Sequence, residues 1–449
     1  MAQIQPSEKQ FWKYVLPSML TMLLGGFYGI VDGFFIGNAV GDDGLAAINL
    51  AWPLTALILA TGTGLGVGGS VLMSIRNGEG RTQAANQAKG GALLLLAIVS
   101  VVFTLLFSLS AAQIMRFFGA EGHVLKLCVD YIQIIVYGTA LQIFGVGLTP
   151  ILRNTGRTVQ AMVMMISGFA TNIVLDWLFI MVFEWQLGGA ALATIIGQGV
   201  VAVFSLIILV TDKQLRPTKA DFKADKKTLG SIVRIGLSPF GSSLAPSVVI
   251  MFCNWQCIRY GGNPAVAAYS VLSYLSYSAN SLMAGVGQGI QPIISYANGA
   301  KAFPTLLNVR RKALKVILAL SVLLFLAAIP AQTLIAQLFG LSSTASLIFA
   351  RSLWIASFAF PFMGIVKLGS EFFCAINKTR YSTILIYGDP LLLSPLFLMS
   401  LPLIWHLDGV WLAMPFAQGL IACMALLMFH RYDQRMRYII NISKKEAVH

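Results

Sequence analysis

Twelve apolar stretches follow one another along this chain, at about 12–37, 45–74, 89–110, 127–149, 159–183, 188–211, 232–258, 265–296, 314–336, 347–373, 381–404 and 409–430. At 1.5 Å per residue, each is long enough to cross about 30 Å of hydrocarbon. A backbone in hydrocarbon finds no water to bond, so such stretches fold as helices. Composition agrees, with 57% of the 449 residues hydrophobic and 11% charged, against about 25% charged in a soluble domain. The expected fold is an all-α polytopic membrane protein of twelve transmembrane helices. The first stretch is too long for a signal-peptide core and lacks an A-x-A-like site, so no cleaved leader is expected.

Charge orients the chain. With the amino terminus inside, 26 of the 31 Lys and Arg residues fall on the inner side. Arg116, Lys126, Arg259 and Arg351 fall outside, and Lys367 lies within a helix. Positive loops stay inside, so both termini are expected in the cytoplasm. That rule accounts for the +14 net charge, and no nucleic-acid partner is expected. The five cysteines, Cys128, Cys253, Cys257, Cys374 and Cys423, all lie in apolar stretches. Cys253 and Cys257 share a helix face, but nothing completes a metal set. They read as buried, inert thiols.

The chain also repeats itself. Leu45-Ala46-Ala47 recurs as Val266-Ala267-Ala268, and Gly64-Leu65-Gly66-Val67-Gly68 as Gly285-Val286-Gly287-Gln288-Gly289. Asn77-Gly78 recurs as Asn298-Gly299 and Phe118-Gly119 as Phe339-Gly340, all at an offset of 221. Gly189, Leu192-Ala193 and Gln198-Gly199 match Gly409, Leu412-Ala413 and Gln418-Gly419 at 220. A register held this long is duplication. Six spans return the chain to the side it left, so the two six-helix bundles are expected to be related by a pseudo-twofold axis along the membrane normal. The expected division is 1–211 for the first bundle, 212–230 for a cytoplasmic linker, 231–430 for the second bundle and 431–449 for a cytoplasmic tail.

Two motifs carry little. Gly64, Gly66 and Gly69 spell G-x-G-x-x-G, a dinucleotide signature only after a strand; mid-membrane, glycines let helices approach closely. Tyr387-Gly388-Asp389-Pro390 partly resembles the motif of intramembrane aspartyl proteases, which need two facing carboxylates, and the fuller G-x-G-D is missing.

The acidic residues carry more. Asp32 stands in the apolar run Gly29 to Asn38, where an ionised carboxylate costs about 3 kcal/mol or more. Asn172 and Asp176 lie at i and i+4 on one face of the fifth helix, and Thr194 lies in the sixth. Counted from the outer helix ends, Asp32, Asp176 and Thr194 all sit roughly 8–10 Å deep. Two carboxylates at one level cannot both ionise cheaply, which suits a proton or cation site. A structural polar cluster holding helices together is the alternative.

These residues carry a family resemblance. Ile30 to Gly37 ("IVDGFFIG"), Asn172 to Asp176 ("NIVLD"), Gly188 to Thr194 ("GGAALAT") and the duplicated halves resemble the MATE family of multidrug and toxic-compound extrusion transporters, nearest a bacterial, MepA-like branch. The resemblance covers nearly the whole chain. It implies cation-coupled efflux of small organic cations by alternating access, with H+ and/or Na+ as coupling ion and no other cofactor. It assigns proton uptake to Asp32. Asn172, Asp176 and Thr194 become the polar residues around it and, with Asp32, a candidate sodium site; Tyr131 becomes a cavity residue of the fourth helix. Pro17 matches a first-helix proline and, by removing a backbone hydrogen bond about four turns below Asp32, offers a pivot. Relatives described as sodium-coupled through the second half carry an acid in the seventh helix. Here position 253, the partner of Asp32 at offset 221, is Cys253. Lys367 and Glu371, at i and i+4 in the tenth helix, read as an ion pair or a gating contact.

The chain is thus expected to be a transporter and not an enzyme, monomeric, in a bacterial inner membrane. A lipid-linked precursor flippase is the rival of like architecture, although it needs a cationic cavity. An intramembrane enzyme is the other rival, and no paired nucleophile and base supports it.

Overall fold

The computed structural model describes the backbone of residues 8–40 and 42–446. It describes their side chains except those of 27–30, 32–34, 37, 38, 42, 43, 45, 46 and 439–446. The helices are α1 (Glu8–Ala39), α2 (Asp42–Gly78), α3 (Thr82–Phe117), α4 (Gly122–Tyr137), α5 (Thr139–Asn154) and α6 (Thr158–Asp176), which runs into a π-helical turn, Trp177–Val182. Next come α7 (Gln186–Thr211), α8 (Lys226–Gly299), α9 (Phe303–Leu338), α10 (Ser343–Ser357) and α11 (Phe360–Ala375). The last are α12 (Thr379–Gly388), a second π-helical turn (Asp389–Leu393), α13 (Ser394–Ser400) and α14 (Pro402–Glu446). No strand occurs among the described residues.

Eight helical stretches among the described residues are each long and apolar enough to span a membrane, and ten are if each of two bent pairs is one span. The bent pairs are α4 with α5, at 58°, and α10 with α11, at 49°. The 74-residue α8 breaks at Gly262, whose φ of +62° is cheap only for glycine, and so makes two passes. With the 32-residue α1, the passes number twelve. Their outer faces suit lipid: Leu105 and Leu109 of α3 and Leu323 and Leu326 of α9 are all exposed.

The duplication is visible in the backbone. Positive φ occurs at Gly80 and Lys301, at Gly119 and Gly340, and at Gly156 and Asn377, each pair 221 apart; Gln186 and His406 form a fourth pair at 220. Where the first copy uses Gly80 and Gly156, the second holds a lysine and an asparagine in the left-handed region, at roughly 1 kcal/mol each.

Packing divides the chain into two compact units. One contains residues 20–244; the other contains residues 8–19 together with 245–446. The units part inside α1 and α8, not at the polar joint after α7. In the first unit, the glycines of α2 bring backbones together. A Cβ on Gly64 would lie 2.8 Å from the Gly236 carbonyl, one on Gly68 2.1 Å from that of Ile232, and one on Gly66 2.2 Å from that of Gly147. In the second, Cβ atoms on Gly285 and Gly289 would each lie 2.9 Å from a carbonyl of α1, at Ser18 and Tyr14 respectively. By these contacts α1 and α8 run three residues short of the 221 register. The equivalent of Asp32 therefore falls between Ile250 and Cys253, and no residue in that stretch is acidic.

The lysine- and arginine-rich ends of the helices are tied down. Lys89 of α3 is buried, donates to the Leu215 carbonyl at 2.7 Å, and lies 4.0 Å from the Asp221 carboxylate. Arg157 pairs with Asp212. Asp225 accepts from the Thr228 N–H at 3.0 Å and caps α8. The hydroxyl and N–H of Thr228 hold its carboxyl below the usual range. In the second unit, Arg310 of α9 pairs with Asp433 at 2.6 Å and lies over the rings of Phe372 and Phe429. Lys312 pairs with Glu8 at 2.5 Å and sits 4.3 Å above the Phe11 ring.

Candidate functional site

The fifth and sixth spans cross on small residues. A Cβ on Gly168 of α6 would lie 2.8 Å from the Gly197 carbonyl of α7; one on Gly197 would lie 2.9 Å from the Asn172 Cβ. Farther out, a Cβ on Gly189 would lie 2.9 Å from that of Phe179. These contacts fix an antiparallel register. Four residues outward from Asn172 is Asp176, and four back from Gly197 is Ala193, so Asp176 stands level with the neighbour of Thr194.

Both α6 side chains are inside, with Asp176 0% and Asn172 2% exposed. The Nδ2 and Oδ1 atoms of Asn172 have no hydrogen-bond partner among the described residues. A buried amide left unpaired costs about 1–3 kcal/mol per group. With the Asp176 carboxyl one turn away, a cation or a protonated ligand placed here would meet the unpaired amide and a carboxyl group together. The helix leaves α geometry directly after Asp176, and π-helical turns are frequent at functional sites.

The other expected residues are spread more widely. Thr194 is half-buried. Tyr131 is buried on α4, one turn outward of Ile134, which would lie 3.5 Å from a Cβ on Gly188 at the start of α7. Asp32 lies in α1, and its side chain is outside the described residues. Pro17 is half-buried inside α1, which continues through it as one helix. It belongs with the second unit, whereas residue 32 belongs with the first. On α11 the Glu371 carboxylate acts on the Lys367 ammonium, as an i, i+4 pair should. Glu371 also packs on α8, where a Cβ on Gly287 would lie 2.7 Å from its Cγ.

Sequence reasoning passes over two acids. Asp130, exposed beside the buried Tyr131, lies near the start of the fourth apolar stretch and is given no role there. Asp389 reads as a fragment of a protease motif, and the structure gives it other company. Ser394 Oγ donates to its Oδ1 at 2.8 Å and Gln418 Nε2 to its Oδ2 at 2.6 Å. Of the cysteines, Cys423 is exposed on its helix, while the other four are buried. No group of three His, Cys, Asp or Glu residues fit for a metal occurs among the described residues.

The MatE family model matches residues 17–178 and again 240–389, once in each half. Multidrug export protein MepA of Staphylococcus aureus (strain N315) is 26% identical over 444 residues, covering 96% of this chain and 95% of MepA. The MepA of Staphylococcus haemolyticus (strain JCSC1435) is likewise 26% identical, over 447 residues and 96% and 95% of the two chains. Among solved structures, the outward-facing conformation of a multidrug resistance MATE family transporter of the MOP superfamily matches with a TM-score of 0.91 at 24% identity, over 95% of this chain and 96% of that one. A MOP superfamily transporter from Pyrococcus furiosus, described as having a binding pocket of reverse polarity, matches with a TM-score of 0.89 at 24% identity over the same shares.

Proposed function

The chain belongs to the MatE family, and from that premise we propose that it exports cationic, partly apolar compounds from the cell in exchange for inward-moving protons or sodium ions. The observation that carries this reading is the buried Asp176 carboxylate one turn from the unpaired Asn172 amide, in a span that is otherwise apolar. Export of many drugs is what the names of the MepA relatives state for those proteins. The chain is a polytopic membrane protein; the excess of inner-side lysine and arginine supports cytoplasmic termini in a bacterial inner membrane.

In this mechanism Asp32 and Asp176 supply negative charge at one level. Ionised, they favour a state that admits a cationic substrate. Taking up a proton or sodium ion from outside removes that attraction and releases the substrate outward. A ligand shifts an equilibrium only by its differential affinity for the two states, and the charge on these carboxylates is that differential. One elementary charge moving inward gains about 2.3 kcal/mol per 100 mV. Pro17 sets what bending α1 costs, and Tyr131 and Thr194 line the route. Lys367 and Glu371 form the gating contact of the second half. The protein works as a monomer surrounded by lipid, with no cofactor and no nucleic acid.

The test is efflux of a fluorescent organic cation from everted vesicles, with proton and sodium gradients imposed separately. Asp32→Asn should abolish exchange and Asp176→Asn should reduce it at least tenfold, with both variants still folded. Full exchange in both would return the cluster to a structural role. A cell-wall synthesis defect in the deletion strain, with unchanged drug sensitivity, would favour the flippase.

A further inference from the structure

Asp389 is the acid that this mechanism leaves unused. It lies ten residues into the span Thr379–Ser400, so it is roughly 15 Å from either end, near the middle of a hydrocarbon layer about 30 Å thick. It is 9% exposed. The helix bearing it widens there, because Asp389 opens the π-helical turn, with Pro390 next to it supplying no N–H.

We propose that Asp389 is a proton-exchanging carboxylate of the second unit, with Gln418 as the amide that reads its state. The first argument is the absence of a fixed counter-charge. Lys89 and Arg310, both buried, and the half-buried Lys367 each have an acid acting on them, at Asp221, Asp433 and Glu371. Asp389 has only neutral donors, Ser394 and Gln418, and no ion pair among the described residues includes it. From α8 the Cys253 thiol faces it, hydrogen-bonded in turn to the Tyr269 phenol. α14 brings Gln418, α13 brings Ser394, and Tyr387 precedes it on α12. No cation is among them, so a mobile one must balance the carboxylate.

The second argument comes from the repeat. At an offset of 221 the counterpart of Asp389 is Gly168, and Gly168 crosses Gly197 with no polar side chain between them. This helix pair therefore packs without a carboxylate, and packing alone does not account for Asp389. The third argument is chemical. A glutamine amide both donates and accepts. Its Nε2 donates to the carboxyl oxygen, as observed, an arrangement that suits the ionised form; turned over, its Oε1 accepts the O–H of the protonated acid. The step is carboxylate plus proton giving carboxylic acid, with no other reactant, and α14 carries the amide that follows it.

What the exchange drives rests on the antiport reading, but the exchange itself can be observed without transport. The measurement is infrared difference spectroscopy of the full chain in lipid nanodiscs, between about pH 5 and about pH 8. The wild type should show a carboxylic C=O band that is absent in Asp389→Asn, restored in Asp389→Glu and retained in Asp32→Asn, which removes only the component that Asp32 itself contributes. Gln418→Leu, which spares the carboxyl group, should move that band to higher frequency. An unchanged spectrum in Asp389→Asn overturns the proposal. So does an unmoved band in Gln418→Leu, should the asparagine variant fail to fold. Loss of efflux in Asp32→Asn bears on the antiport reading alone and leaves the band in place.

Discussion

In the first unit Lys89 reaches the carbonyl of Leu215 and stands 4.0 Å from Asp221, both in the stretch that follows α7. In the second, Arg310, 221 residues later, grips Asp433 in the last part of α14 at 2.6 Å, between two phenylalanine rings. Both copies bury a cation near the start of their third span and neutralise it with an acid beyond their sixth. The partner atoms differ. Duplication has kept the electrostatic requirement, that a buried charge be compensated, and has let the solution drift.

The crossings of the fifth and sixth spans of each half drift further, from bare glycine to a hydrogen-bonded carboxylate. The largest expected effect comes from filling the bare one. Gly168→Val should drive side-chain atoms into the Gly197 carbonyl and cost about 3 kcal/mol, read as a collapse of the melting transition in detergent. Next is Asp433→Asn, which leaves Arg310 buried without its acid and should cost about 2 kcal/mol after allowing for partial exposure of Asp433. Lys89→Met should cost less, about 1 kcal/mol, because the Asp221 carboxylate keeps the N–H and hydroxyl of Thr218 as donors. Equal losses at Lys89 and Asp433 would mean that the two cations are equivalent after all.

The smallest effect should come from the exposed cap. Asp225→Ala removes the acceptor for Thr228 at the start of α8. The folded carboxyl is held below its usual range, so its stabilisation is present above the unfolded value of about 3.9 and is lost as the pH falls through the folded one. The melting difference between wild type and variant should be present at neutral pH and vanish in strong acid. A difference that persists in acid would assign the effect to helix propensity instead.

Much of this architecture is legible in the residues. The apolar stretches locate the spans, and the glycine motifs at a constant offset announce the duplication, because a close helix crossing admits no other side chain. Asn172 and Asp176 are found together because i, i+4 spacing is local. What the sequence hides is non-local. Gln418 lies 29 residues from Asp389, and nothing in either neighbourhood announces the other. Lys89 and Arg310 look like ordinary inner-loop charges because burial depends on what folds over them. The bends at Gly138 and before Phe360 leave no gap in hydropathy, so α4 with α5, and α10 with α11, each read as one straight helix.

The exchange of helix ends between the units bears on how the protein is made. The first unit is incomplete until residues 226–244 have been synthesised, since Gly64 and Gly68 close on Gly236 and Ile232. The opening turns of α1 leave the ribosome first, yet their partners at Gly285, Gly289 and Lys312 come about 270–300 residues later. Those turns are without these partners through most of translation. Cutting the gene in the joint after α7 should therefore yield two pieces that are each unstable when expressed alone. Expressed together, each supplies the helical end that the other lacks, and assembly rather than insertion is the last step of biogenesis.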